Sequence, residues 1–349
     1  MTLQWDAVDR LLDTLGPELV SQHGLGPLGA RRLRKLGKPV PEQLFREDRA
    51  AATANLIAPA LLARVREAYD GPLLLLKGPE LTGRYPDRAR RFGDIDVLAG
   101  DAEAAQAALL ASGFRLQERN WPPLDWQFHG RPHYHLQPLE WPDLGLRVEV
   151  HREVKWPLGL EPPPNEALFE AAVPSSVNID GLVAPHPDHH AVLLAAHAWA
   201  EVPMHKLRDL IDVMVFVDDA RRDELARIAR AWRFDRPWRS SLAVADWLFD
   251  GGPEPRVVRV WARYLRHLRE PTVVELHLQA WLSPFWLAPP PVALRQAAAA
   301  LARDFRARPN QSWAEKRRQT LRALVHPFSP KSAHDRRSGR RRRNPSSRV

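Results

Sequence analysis

The chain has 349 residues, with 51 Lys and Arg against 42 Asp and Glu and no cysteine, so disulfides and thiolate metal sites are excluded and any metal must be held by oxygen or imidazole. No run of about 18 apolar residues could cross a bilayer, and the opening MTLQWDAVDRLLDTLG carries acids where a secretory leader carries bases; a cytoplasmic chain with no membrane partner is expected. The net charge of +9 is local: residues 315–349 hold twelve basic residues against Glu315 and Asp335, leaving the body at −1 and with no global claim on polyanions.

In chain order, Trp5, Val8, Leu11, Leu12 and Leu15 share one face of an opening helix. A basic turn is expected at Arg31 to Lys38, then a long helix from Pro41 to Tyr69 that Gly71-Pro72 stops. An apolar strand, Leu73 to Lys77, breaks at Gly78-Pro79 before a short helix to Tyr85, and an Arg-rich loop leads to a strand from Asp94 to Ala99. A helix over 102–111 is capped by Asp101 and ended by Gly113. Strands are expected at Phe114 to Glu118, around Tyr134 to Gln137, and at Leu146 to Val150, where apolar residues alternate. Prolines 157 and 162 to 164 stiffen a connection, and beyond His186-Pro187 the chain reads as helical to about Val325. Four regions follow: N-terminal helices (1–70), an α/β core with a mixed sheet (71–185), an all-helical domain (186–328) and a basic tail (329–349) too poor in apolar residues to fold.

Chemistry concentrates in Asp94-Ile95-Asp96. Alternate residues of a strand share a face about 6.6 Å apart, so two carboxylates stand together on a rigid element. Such a pair calls for a cation, and two divalent ions about 3.5 to 4 Å apart clamping a triphosphate are the usual reason to build it. A third acid on a neighbouring strand completes such a site. Glu149, in Val148-Glu149-Val150, is the candidate; a solvent-facing strand acid is the plainer reading.

The ordered set Leu76-Lys77-Gly78, Tyr85-Pro86, Arg90 or Arg91, Asp94-Ile95-Asp96 and Val148-Glu149-Val150-His151 resembles the polymerase-beta-like nucleotidyltransferase superfamily. Within it the chain is similar to a subgroup known as uncharacterised nucleotidyltransferases, which also has a His-containing helix followed by Leu-Arg and an Asp-containing helix, as in residues 191–217. The resemblance covers about residues 73–217. It implies Mg²⁺-dependent transfer of a nucleoside monophosphate from an NTP, ATP foremost, to a hydroxyl acceptor: a small molecule, a protein or a tRNA. It also implies two Mg²⁺ ions on Asp94, Asp96 and Glu149, with Lys77, Gly78, Arg91, Lys206 and Arg208 holding the nucleotide. One departure stands out. Many members have Gly-Ser where this chain has Gly78-Pro79, so a hydroxyl and an amide are missing there, and Lys77, Thr82 or Arg91 must substitute.

Several residues carry competing readings. Arg208 could instead pair with Asp212 at i, i+4, and His151 could be a core histidine rather than a partner of Glu149. His129, His133 and His135 suggest zinc, but no set such as His-Glu-x-x-His completes it. Trp199, Trp232, Trp247 and Trp261 sit at apolar helix positions and read as core. The tail, with Arg336, Arg337 and Arg340 to Arg343, supports a second class of function: a non-catalytic nucleic-acid-binding or regulatory module that binds RNA or an acidic partner by counterion release.

Overall fold

A computed structural model of the protein describes residues 3–117, 127–128, 131–142, 144–307 and 311–330. The expected tail beyond residue 330, and His129, lie outside them. The chain forms two compact units, Met1–Ser241 and Leu242–Val349.

The first unit opens with helices α1 (Trp5–Thr14), α2 (Pro17–Gln22), α3 (Gly26–Lys35) and α4 (Glu42–Ala68). The basic stretch expected as a turn is mostly helix: Arg31 to Lys35 complete α3, because Leu25 to Ala30 supply a buried apolar first turn and the cations cluster at the C-terminal end. On α4, Ala51, Ala54, Ala58, Leu61, Leu62 and Val65 recur at three- and four-residue spacing and form one buried stripe.

The sheet follows: β1 (Leu73–Leu75), β2 (Asp94–Ala99), β3 (Arg115–Leu116), the separate ribbon β4 (Gln127–Phe128) with β5 (Arg131–Pro132), then β6 (Leu139–Glu140), β7 (Arg147–His151), β8 (Val173–Pro174) and β9 (Leu182–Ala184). Seven strands lie in the order β3-β6-β7-β2-β1-β9-β8, with β2 parallel to β7, β1 parallel to β9 and the other pairs antiparallel. The mixed sheet expected from sequence is therefore present. The strand expected near Tyr134 reduces to one bridge between His135 and His151, and the ladder forms instead at Leu139–Glu140.

Three helices punctuate these strands: α5 (Pro79–Thr82), α6 (Ala102–Ala111) and α7 (Asn165–Glu170). Asp101 caps α6 by accepting from the Ala104 amide at 2.9 Å. On one sheet face Leu73, Leu75, Ile95, Val97, Val148 and Val150 pack with α4 and α6. On the other, Leu74, Leu76 and Leu98 meet Leu168 of α7 and Leu193 of α8 (Pro187–Glu201). Helices α9 (Leu207–Met214), α10 (Arg222–Ala231) and α11 (Asp235–Asp250) come next.

In the second unit, α12 (Arg256–Val260), α13 (Val273–Leu282), α14 (Pro284–Leu287), α15 (Pro290–Phe305) and α16 (Trp313–Val325) continue the chain. Trp261, Tyr264 and Phe249 are its largest buried anchors, and a Thr272/Glu275 capping box starts α13.

Because Ile95 is fully buried opposite Val148 in the β2–β7 pairing, Ile95→Ala is expected to cost about 2–5 kcal/mol. Urea unfolding followed by circular dichroism measures it.

Candidate functional site

The parallel register of β2 and β7 sets Asp94 opposite Arg147, Asp96 opposite Glu149 and Leu98 opposite His151. Strand alternation turns these side chains to the face away from Ile95 and Val148. Asp96, Glu149 and His151 thereby bring one ligand atom each within 4.8 Å of one another. Asp94 stands apart from that tight group, 3.4 Å from the Arg147 guanidinium, while lining the same cavity.

Electrostatics follow from crowding. Burial, then the charges of Asp96 and Asp94, push the Glu149 carboxyl up to about 8. Asp94 is likewise raised by burial and by Asp96. Burial also works against the Asp96 charge, but the hydrogen bond from His151 and the nearby charges of His151 and Lys77 hold its carboxyl down at about 2. His151 Nε2 lies 3.0 Å from Asp96 Oδ1, which selects the tautomer that donates from Nε2. His135 reaches Glu149 at 3.6 Å and is kept neutral by burial, its proton position fixed by a 2.6 Å hydrogen bond to the Leu136 carbonyl. Three acids that resist joint ionisation, with oxygen donors facing one cavity, fit a hard divalent cation such as Mg²⁺.

The cavity has a volume of about 450 Å³ and spans the N-terminal helices, the sheet and α8–α9. Its walls include Lys77, Gly78, Arg91, Lys206 and Arg208, so all five residues that the resemblance assigns to nucleotide contact face it. Lys77 is buried deeply enough for desolvation to bring its ammonium down to about 8. Gly78 adopts φ +71°, and a side chain there would press within 3.2 Å of the Asp94 carbonyl, so the sharp turn after β1 needs glycine. Thr82 does not reach the cavity; its hydroxyl is buried and donates to the Pro79 carbonyl.

The Arg208–Asp212 pair, the alternative reading of this helix, is not formed. Asp212 instead receives both arms of Arg90 at 2.7 Å and the Tyr85 hydroxyl at 2.6 Å, all buried, and Arg208 meets Asp209 at 3.5 Å. An i, i+4 rule could not see this, because Arg90 is 122 residues away in sequence. Other wall residues escaped sequence reasoning: Lys155, ion-paired with Glu201 at 2.7 Å and set over the Tyr134 ring, and Ser21, Gln22 and Glu47 from α2 and α4. One signal was available for Lys155. The chain has only seven lysines, and Lys77, Lys155 and Lys206 all line this cavity.

A family model described as uncharacterised nucleotidyltransferase matches residues 17–250. The match extends beyond residues 73–217 on both sides and takes in α2–α4. A comparison with curated proteins gives no match.

Two outcomes are expected. Between about pH 4.5, where an unfolded Glu149 ionises, and about pH 8, the folded chain keeps a proton that the unfolded chain has released. Metal-free stability should therefore fall as pH rises through this window, and Glu149→Gln should remove that part of the decline in thermal melts at pH 5 to 8. Separately, Arg90→Met leaves Asp212 buried with a lone tyrosine and should cost about 3–5 kcal/mol, whereas Arg90→Met with Asp212→Leu should recover most of it; urea titration measures both.

Proposed function

Since the chain belongs to the uncharacterised nucleotidyltransferase family, we propose that it transfers a nucleoside monophosphate from Mg²⁺-bound ATP to a hydroxyl acceptor, working in the cytoplasm. The observation that carries this reading is the Asp96/Glu149 pairing across β2 and β7, at the wall of a cavity whose other walls present Lys77, Arg91, Lys206 and Arg208.

Asp94, Asp96 and Glu149 would hold two Mg²⁺ ions, which neutralise the triphosphate and lower the pKa of the attacking hydroxyl. Lys206 and Arg208 approach the triphosphate from α9, and Lys77 from the end of β1, balancing charge that shifts toward the leaving group. The acceptor oxygen bonds to the α-phosphorus, the bond from that phosphorus to its bridging oxygen breaks, and pyrophosphate departs in line. Glu149 takes the hydroxyl proton and passes it to water, its carboxyl, protonated near neutral pH in the metal-free chain, being ionised once a divalent cation is bound beside it. His151 keeps Asp96 ionised and aimed. Lys77 and Arg91 take the part of the serine hydroxyl that Pro79 replaces.

Asp96→Asn is expected to weaken Mg²⁺-ATP binding at least tenfold, about 1.4 kcal/mol, in calorimetry, while ATP without Mg²⁺ binds the two proteins alike. Incubating the chain with α-labelled ATP, Mg²⁺ and cell extract should move label to an acceptor in the parent and not in the variant. Equal Mg²⁺-ATP affinity in the two proteins would overturn the metal assignment.

A further inference from the structure

Helix α16, WAEKRRQTLRALV, is capped at its start and tied to α13 just past its end. Ser312 and Glu315 form a capping box at its start, and just past its end the Val274 and Val273 amides donate to the Pro327 and Ser329 carbonyls at 3.0 and 3.1 Å. The chain leaving the helix is therefore held against the start of α13.

At 100° per residue, Trp313, Leu321, Leu324 and Val325 fall within one arc of about 120°. These are the strongest apolar residues of the helix, and they are 60 to 71% exposed; Phe328, just beyond, is 79% exposed. The half-buried positions, Lys316, Thr320 and Ala323, lie together beside the Trp313 edge of that arc. The helix thus turns its weaker face to its own unit and offers its apolar face outward. Arg317 sits inside the arc, and Arg318 and Arg322 lie beyond its Val325 edge, all exposed. Long arginine stems can lie along an apolar layer while their heads stay wet.

We propose that this face of α16 docks on an anionic lipid surface. Residues 315–322 carry a net charge of +3 and residues 329–349 a further +7. That charge opposes pairing with a second copy of the same basic face. RNA would satisfy the arginines but has no use for exposed Leu321, Leu324 and Val325, since single strands take up aromatic rather than aliphatic side chains. An anionic bilayer satisfies both: aliphatic and aromatic groups enter the headgroup boundary while cations meet lipid phosphates. Among the described residues no helix is long and apolar enough to cross a membrane, so the helix lies on the surface. The sequence expectation of no membrane partner rested on crossing and leader segments and does not bear on this mode.

Flotation of the full chain with vesicles of phosphatidylcholine, with and without phosphatidylglycerol, tests the proposal. Binding is expected only with phosphatidylglycerol. Leu321→Glu with Leu324→Glu should weaken it at least tenfold, about 1.4 kcal/mol, with helix content unchanged, and Arg318→Ala with Arg322→Ala should weaken it and flatten its salt dependence. Any of four results overturns the proposal: no binding to phosphatidylglycerol vesicles; equal binding to phosphatidylcholine alone; unchanged affinity in the double-glutamate variant, which leaves charge as the whole attraction; or a parent dimer that this variant dissociates, which makes a second copy the occupant.

Discussion

The register between β2 and β7 is the constraint on which the candidate site depends. A shift of one residue would turn Asp96 or Glu149 into the layer of Ile95, Val97, Val148 and Val150, where a carboxylate has no partner. Apolar burial on one face therefore dictates carboxylate convergence on the other. The repulsion so created falls mainly on Glu149, the acid without a strong donor, while His151 relieves Asp96. The division of roles between two facing acids is a consequence of which one has a hydrogen-bonded histidine.

A second interaction holds the walls of the cavity in place. Arg90 lies in the loop leading to β2, Tyr85 at the start of that loop, and Asp212 on α9; their buried hydrogen bonds tie the carboxylate strand to the helix that begins beside Lys206 and Arg208. Burial alone would favour a neutral Asp212, and the two arms of Arg90 reverse that. From the other side, the His23 carbonyl accepts from the Arg208 amide at 3.3 Å, and Gly24 leaves room for the Arg208 stem. The N-terminal helices are in this way part of the cavity, in keeping with a family match that begins at residue 17.

Charge is divided along the chain. In the first unit, cations stand in or near the cavity, where fixed partners and burial tune them, as with Lys77 and Lys155. Toward the C-terminus, Arg317, Arg318 and Arg322 stand exposed within and beside one edge of the apolar arc of α16 instead. Under the two proposals, the same residue types would serve recognition of a small polyanion in one place and attraction to an extended one in the other.

What the sequence determined by itself is local. Alternation placed Asp94 and Asp96 on one strand face, the bounds of β2 and α6 followed from apolar runs and the Asp101 cap, and Gly78 marked a turn that only glycine makes. Each of these depends on neighbours a few residues away. The basic stretch after Arg31 went astray at the same range, because buried Leu25 to Ala30 start a helix that the charges merely finish. Tertiary structure alone decided that Arg90 rather than Arg208 pairs with Asp212, that His151 orients Asp96, and that Lys155, Ser21 and Glu47 face the carboxylates. Those partners are separated by tens to more than a hundred residues, and no periodicity connects them; packing of the helices over the sheet chooses which polar groups meet, because each one taken out of water must find a partner.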